Sequence, residues 1–335
     1  MPRKYTLLGS GLLVLAFLLW MFAGSMPASG VLLYEMITGN TMSQYITYLV
    51  LGLSELLLIL PLVFYMVITK TNLRALMGNR TTAPQLLLAA AIGILMAPAI
   101  QGISDLFYQI FQAMGLKMPN TSLLNPTDTG TMLAGMVAIG ATAGIVEEPI
   151  FRGVALRGMG SVLKKHAAVW LSALVFSLIH LDIMGAPTRL LIGALLGYMA
   201  WSSGAVLPGV ITHAAYNATL VGMSLLFTTT LKNWAGIQLA GASAAVNSVL
   251  TSTAISLPFL ALMALAWWAF RRVTPATAAW KPEPYATKSV RFPHWLPWIG
   301  LGVVVLAMMA LTAIASNIDM QQMMDQFQQI TEQMK

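Results

Sequence analysis

Long apolar blocks set the fold of this chain. Residues 7–24, 85–110 and 246–270 together contain a single charged side chain, and each block is close to the ~20 residues that cross about 30 Å of hydrocarbon. Only 9% of all residues are charged, whereas a soluble domain carries roughly 25%. So few charges cannot cover a soluble surface. The chain is therefore predicted to be an all-α, polytopic transmembrane helix bundle.

The apolar pattern predicts about nine spanning helices. In chain order they cover residues 7–24, 44–68, 85–110, 131–160, 167–184, 188–203, 205–227, 246–270 and 295–316. Pro61, Pro98 and Pro149 lie within these ranges and predict kinks, because proline leaves a helical carbonyl without its partner. The first block follows Arg3 and Lys4, a pattern also typical of a signal peptide, but its length favours an uncleaved first helix.

Changes in composition divide the chain into five predicted regions. These are N-terminal transmembrane helices at 1–130, a transmembrane core at 131–230, a further transmembrane helix at 231–270, a basic, Pro-rich cytoplasmic linker at 271–294, and a last transmembrane helix with its tail at 295–335. Apolar residues recur at spacings of three and four between Met320 and Met334. That periodicity predicts an amphipathic helix in the tail.

The basic residues predict orientation and partner. Most of the 18 lysine and arginine residues lie on the cytoplasmic side if the N-terminus is cytoplasmic, as the positive-inside rule requires. The net charge of +7 is carried by short loops between apolar blocks rather than by one stripe, so a lipid bilayer, and no nucleic acid, is the expected partner. These features predict a multi-pass protein of the cell membrane.

Ionisable and polar side chains inside three predicted spans indicate a candidate site. A charged group at the centre of a spanning helix costs about 2.5–3.5 kcal/mol on insertion scales, so it needs a partner or a function. The residues are Glu147, Glu148, Arg152, His180, His213 and Asn217. A rise of ~1.5 Å per residue from the predicted cytoplasmic ends puts Glu147, His180 and His213 at overlapping depths. One buried pocket can therefore receive side chains from three helices.

The spacing within the motifs suggests which side chains pair with each other and which are free for chemistry. Glu148 and Arg152 are four residues apart, in the favourable order for an ion pair on one helical face, which leaves Glu147 pointing about 100° away. His213 and Asn217 share the same spacing. A carboxylate beside a neutral imidazole can deprotonate a water, and a second imidazole with an amide can donate hydrogen bonds to an oxyanion. Peptide hydrolysis needs these parts.

The three motifs resemble those of the glutamate-type CAAX prenyl endopeptidases and their bacterial relatives, the CPBP or Abi proteins. The family patterns Glu-Glu-x-x-x-Arg, Phe-x-x-x-His and His-x-x-x-Asn or Asp read here Glu147-Glu148-Pro-Ile-Phe-Arg152, Phe176-Ser-Leu-Ile-His180 and His213-Ala-Ala-Tyr-Asn217. The resemblance covers about residues 130–230 and implies an intramembrane endopeptidase. It implies that Glu147 with His180 activates water and that His213 with Asn217 stabilises the oxyanion. Glu148, Arg152 and Phe176 would be supporting residues.

A metalloprotease mechanism stays open beside a metal-free one. Histidine and carboxylate side chains are zinc ligands, so Glu147, His180 and His213 are the candidate ligands of a zinc ion. However, the sequence has no His-Glu-x-x-His motif and no cysteine, which removes the commonest zinc signatures.

Two other classes of function use buried ionisable groups. A proton-coupled transporter employs them as relays, although the two halves of the chain show no internal repeat of the kind many transporters have. A non-proteolytic protein of the same fold, acting in bacteriocin immunity or as a scaffold, would bind without cleaving. A protease implies a peptide or membrane-protein substrate.

Glu55, a lone acid in the second predicted helix, either lines a cavity or bonds to a neighbouring hydroxyl.

Overall fold

The structure is a computed structural model that describes residues 5–24, 26–38, 40–116, 125–226, 236, 238–281 and 291–315. Regular structure within these ranges is helical, apart from one isolated bridge between Gly78 and Ala205. The predicted all-α class is therefore confirmed. The predicted amphipathic tail and part of the predicted linker lie outside the described residues.

In chain order, the α-helices of the described ranges are α1 Leu7–Gly24, α2 Met26–Thr38, α3 Gln44–Leu57, α4 Leu60–Thr69, α5 Leu73–Met77, α6 Ala83–Ala99, α7 Gln101–Ala113, α8 Thr129–Gly135, α9 Thr142–Glu148, α10 Leu156–Gly160, α11 Lys165–Leu178, α12 Ala186–Ser203, α13 Leu207–Leu226, α14 Ala244–Val273 and α15 Leu296–Ala315. Two π-helical segments, Met136–Ala141 and Pro149–Ala155, join α8, α9 and α10 into one continuous span.

Six stretches are long and apolar enough to cross a membrane, counted over the described residues. They are Leu7–Val31, Gln44–Thr69, Ala83–Ala113, Thr129–Gly160, Ala244–Val273 and Phe292–Ala310. The chain is thus a multi-pass membrane protein, but the predicted count of about nine spans is not confirmed. The other three predicted spans form α11, α12 and α13. Helix α11 has 14 residues, a length of only about 21 Å, while α12 and α13 include polar residues that the bundle buries, such as Thr188 and His213.

Two of the predicted proline kinks coincide with helix breaks. Helix α3 ends shortly before Pro61, and α6 gives way to α7 two residues after Pro98. The third proline, Pro149, begins the second π-helical segment. In each case the ring removes an N–H donor from the helical ladder.

Glycines bring α13 close to its neighbours. A Cβ atom added to Gly144 would lie 2.7 Å from the carbonyl oxygen of Val210, and one added to Gly140 would lie 3.0 Å from the backbone nitrogen of Ala218. Small residues at such positions let helical backbones approach closely in membranes. This contact holds the helix that carries His213 against the span that carries the paired glutamates.

The last helix packs along the first. The indole N–H of Trp298 donates to the carbonyl oxygen of Leu7 at 2.9 Å, and Leu301 and Val305 are buried in the same cluster as Phe17. Helix α15 is therefore part of the bundle rather than an appendage.

Candidate active site

The paired glutamates lie where regular helix changes to a π-helical segment. Glu147 and Glu148 end α9, and Pro149 begins the segment that carries Arg152. Proline cannot close the regular ladder, and π-helical turns are frequent at functional sites because they redirect side chains. Glu147 is 7% exposed and Glu148 is 0% exposed. Both carboxyl groups therefore need protein partners or a ligand.

Arg152 is the buried cation of the site. Its Nη1 donates to Oε1 of Glu148 at 2.8 Å, and its Nη2 donates to the carbonyl oxygen of Gly193 at 3.2 Å. The guanidinium also lies over the Phe176 ring, 4.4 Å from its centroid. The predicted pairing of Glu148 with Arg152 is confirmed, and it compensates both buried charges.

His213 connects α13 to this ion pair. Its Nδ1 lies 3.0 Å from Oε1 of Glu148. Because that carboxylate already accepts from Arg152, the imidazole N–H is the donor. Its Nε2 lies 4.0 Å from Oε2 of Glu147. The sequence predicted only Arg152 as the partner of Glu148, since no local spacing links a glutamate and a histidine that are 65 residues apart.

His180 lies in a turn and not inside a helix. The fifth predicted helix extends to residue 184, but α11 ends at Leu178. Leu181 adopts a φ of 55°, a left-handed conformation that interrupts a helix and is rare for a residue with a branched side chain. The prediction of a helical position for His180 was therefore wrong.

The turn fixes which nitrogen of His180 faces the site. Its Nδ1 donates to the carbonyl oxygen of Phe176 at 2.8 Å. Its Nε2 lies 3.7 Å from Oε1 of Glu147. The side chain is 24% exposed, whereas His213 and Glu148 are buried. The site is thus most open on the side of His180.

Glu147 is the point where the two imidazoles converge. Each of its oxygens faces one histidine Nε2, at distances beyond a direct hydrogen bond. Its Oε2 is buried and has no hydrogen-bond partner in the described part of the chain. The three residues that the sequence singled out from separate helices therefore do meet.

Phe176 packs against both imidazoles. Its ring centroid lies 5.1 Å from that of His180 and 5.8 Å from that of His213, both edge-to-face. Such aromatic contacts restrict ring orientation. Phe176 thus contacts His180, His213 and Arg152 at once.

Asn217 is one turn beyond His213 on α13 and is half-buried. Its side chain forms no hydrogen bond with another residue whose placement the structure describes. The shared helical face predicted for the two residues is consistent with this position.

Sequence reasoning missed a charged pair next to the site. Arg189 and Asp182 form an ion pair at 2.8 Å, and both are about one-third exposed. Arg189 also donates to the carbonyl oxygen of Asp182 at 3.3 Å, which attaches it to the segment that follows His180. In the sequence, Arg189 could have been linked to the site only through its position, nine residues after His180 and at the start of α12.

The side-chain geometry gives no support to the predicted zinc ligands Glu147, His180 and His213. Among the described residues, no group of three or more histidine, aspartate or glutamate side chains is arranged to hold a metal ion.

A comparison with protein families identifies the same region. Residues 129–219 match the family model described as type II CAAX prenyl endopeptidase Rce1-like. Comparisons with curated proteins and with solved structures gave no match. The matched segment contains all three motifs, from the paired glutamates to His213 and Asn217. This segment of the chain is therefore similar to the type II CAAX prenyl endopeptidase family, in agreement with the resemblance of its three motifs.

Proposed function

We propose that this protein is an intramembrane endopeptidase that hydrolyses a peptide bond with a water activated by Glu147 and His180. One observation carries the proposal. The buried Glu147 carboxylate faces two imidazole Nε2 atoms at 3.7 Å and 4.0 Å. Each imidazole is held through its other nitrogen.

Glu147 is the general base. Its 3.7 Å separation from Nε2 of His180 suits a water that donates one hydrogen bond to each group. Because Nδ1–H of His180 donates to Phe176, a neutral His180 presents its lone pair at Nε2. The water oxygen attacks the peptide carbonyl carbon, and its proton moves to Glu147.

His213 and Asn217 stabilise the oxyanion that this attack forms. With Nδ1–H of His213 bound to Glu148, Nε2 can donate only when the ring carries both protons. The Glu148 carboxylate accepts the Nδ1–H bond and orients the ring, as the buried aspartate does in a serine-protease triad. The Asn217 amide supplies a neutral donor.

Collapse of the tetrahedral intermediate completes the reaction. The carbonyl re-forms, the carbon–nitrogen bond breaks, and the proton held by Glu147 passes to the departing amine. Arg152 takes no part in these transfers. It holds Glu148 in place, so that His213 stays aimed at the reacting carbonyl.

The test compares protein termini in membranes from cells that produce the wild type, Glu147→Gln or His166→Ala. Glutamine preserves the shape of Glu147 but cannot act as a base. His166 is a matched control because it is an exposed histidine that pairs with the Tyr198 hydroxyl at 2.7 Å. We expect a set of new termini that is present with wild type and His166→Ala and absent with Glu147→Gln. Identical termini in all three would overturn proteolysis and favour a binding or transport function.

A further inference from the structure

Glu55 is a second unpartnered acid beside the site. It is half-buried in α3, and its Oε1 is buried without a hydrogen-bond partner in the ranges that the structure describes. No ion pair or hydroxyl contact of Glu55 is present there either, so the predicted bond to a neighbouring hydroxyl is not formed. An ionisable group inside a membrane span is costly and normally marks a functional contact.

The packing of α3 shows where Glu55 lies relative to Glu147. Helix α3 runs parallel to the Thr129–Gly160 span. The residues in contact are Tyr45 with Gly130, Tyr48 with Gly135, and Gly52 with Ala138. The same register continues to Glu55 beside Ala141 and Thr142. Glu147 lies five or six residues further along, about 8 Å at ~1.5 Å per residue.

The acids around the site differ in their partners. Glu148 is compensated by Arg152, and Asp182 by Arg189. Glu55 forms no ion pair among the described residues, so its carboxyl group is available to a cationic ligand.

An apolar cavity adjoins Glu55. It has a volume of about 590 Å³ and lies between α3 and the first half of the Thr129–Gly160 span. Its walls include Tyr48, Gly52, Leu56, Val137 and Thr142. Glu55 is not one of the wall residues, but the wall residues Gly52 and Leu56 belong to the same helical turn of α3 as Glu55. A ligand matching both features has an apolar part and a cationic part.

We propose that Glu55 and this cavity form a substrate subsite that binds a lysine or arginine side chain near the scissile bond, with a neighbouring apolar side chain in the cavity. This inference rests on the proposed protease function. The offset of about 8 Å along the helix axes corresponds to two or three residues of extended peptide at ~3.3 Å per residue. The basic residue should therefore lie two or three positions from the cleaved bond.

The experiment determines the residues around cleavage sites in membranes from cells producing the wild type, Glu55→Gln, Glu55→Lys or Glu35→Gln. The probe is the membrane proteome of the cell, and the sites counted are those that Glu147→Gln abolishes. Glu35→Gln is the matched control, because it removes an acid whose Oε1 is already engaged by the backbone N–H of Met42 at 2.8 Å. Thermal stability of each purified variant shows that it is folded.

We expect wild type and Glu35→Gln to cut sites enriched in lysine or arginine two or three positions away. Glu55→Gln should lower cleavage of those sites about tenfold or more, since a buried charge contact is lost, and Glu55→Lys should favour acidic residues there. Glu147-dependent sites without basic enrichment, or with enrichment unchanged in Glu55→Gln, would overturn the subsite alone. Absence of any Glu147-dependent site would overturn the protease function together with it.

Discussion

His213 and Arg152 share one oxygen of Glu148: Nδ1 of His213 lies 3.0 Å from Oε1, and Nη1 of Arg152 lies 2.8 Å from it. The second glutamate of the motif therefore does two things. It neutralises a buried guanidinium and it orients an imidazole towards Glu147. This arrangement predicts that stability and activity depend on Glu148 in separable ways.

Replacing Glu148 should destabilise the protein because Arg152 becomes a buried cation without a carboxylate. We expect Glu148→Gln to lower the free energy of unfolding by about 3–5 kcal/mol. Thermal or denaturant unfolding in detergent measures this loss. The double variant Glu148→Gln with Arg152→Met should recover much of the stability but little activity, since His213 still lacks the charged carboxylate that orients it. Wild-type stability in the single variant would contradict a buried ion pair.

A methyl group at Gly209 should disturb the site through Glu148. A Cβ atom there would lie 2.9 Å from Oε2 of Glu148, which forces the carboxylate, and with it His213, to move. Displacement by a fraction of an ångström to 1 Å costs up to about 10²-fold in rate, so cleavage by Gly209→Ala should fall strongly. Gly300→Ala is the control, because its Cβ meets nothing within 4 Å. Equal loss in both variants would refute the steric explanation.

The two site histidines should differ in their effect on stability. His180→Ala removes a side chain that is 24% exposed and should leave unfolding nearly unchanged. His213→Ala leaves the buried Glu148 with one partner fewer and should destabilise more. Both should reduce kcat by about 10²–10⁴-fold, the usual contribution of a positioned acid or base. A strongly raised KM with a normal kcat would assign the histidines to substrate binding instead.

Activity should survive chelation. The donor atoms around Glu147 do not form a metal-binding group within the described chain, and the mechanism above needs only water and side chains. We expect the purified enzyme to keep its cleavage rate in a zinc chelator and to hold far less than one metal per chain. Loss of activity on chelation, with recovery on adding zinc, would contradict this prediction.

Local patterns predicted the helices well where strong boundary signals exist. Helix α12 was expected over 188–203 and spans Ala186–Ser203, with Pro187 near its start and Gly204, at φ 63°, just past its end. Both residue types mark helix ends for steric reasons. The shared depth of Glu147, His180 and His213 was likewise predictable, because helical rise is constant.

Features that depend on contacts between distant segments were not predictable. The end of α11 follows from the left-handed backbone of Leu181, which leucine rarely adopts and no sequence rule indicates. The bond from His213 to Glu148 and the position of Glu55 next to Glu147 arise from helix packing. Each would have needed the neighbours of a helix to be known in advance.

The central claim is that Glu147 activates the attacking water. Its most direct test is the cleavage rate of purified Glu147→Gln in liposomes, measured on a substrate identified from the membrane termini. If Glu147 is the base, the Glu147→Gln variant should cleave at a rate at least about 10²-fold below wild type, with an unchanged unfolding temperature. A folded Glu147→Gln variant that cleaves at the wild-type rate would contradict it.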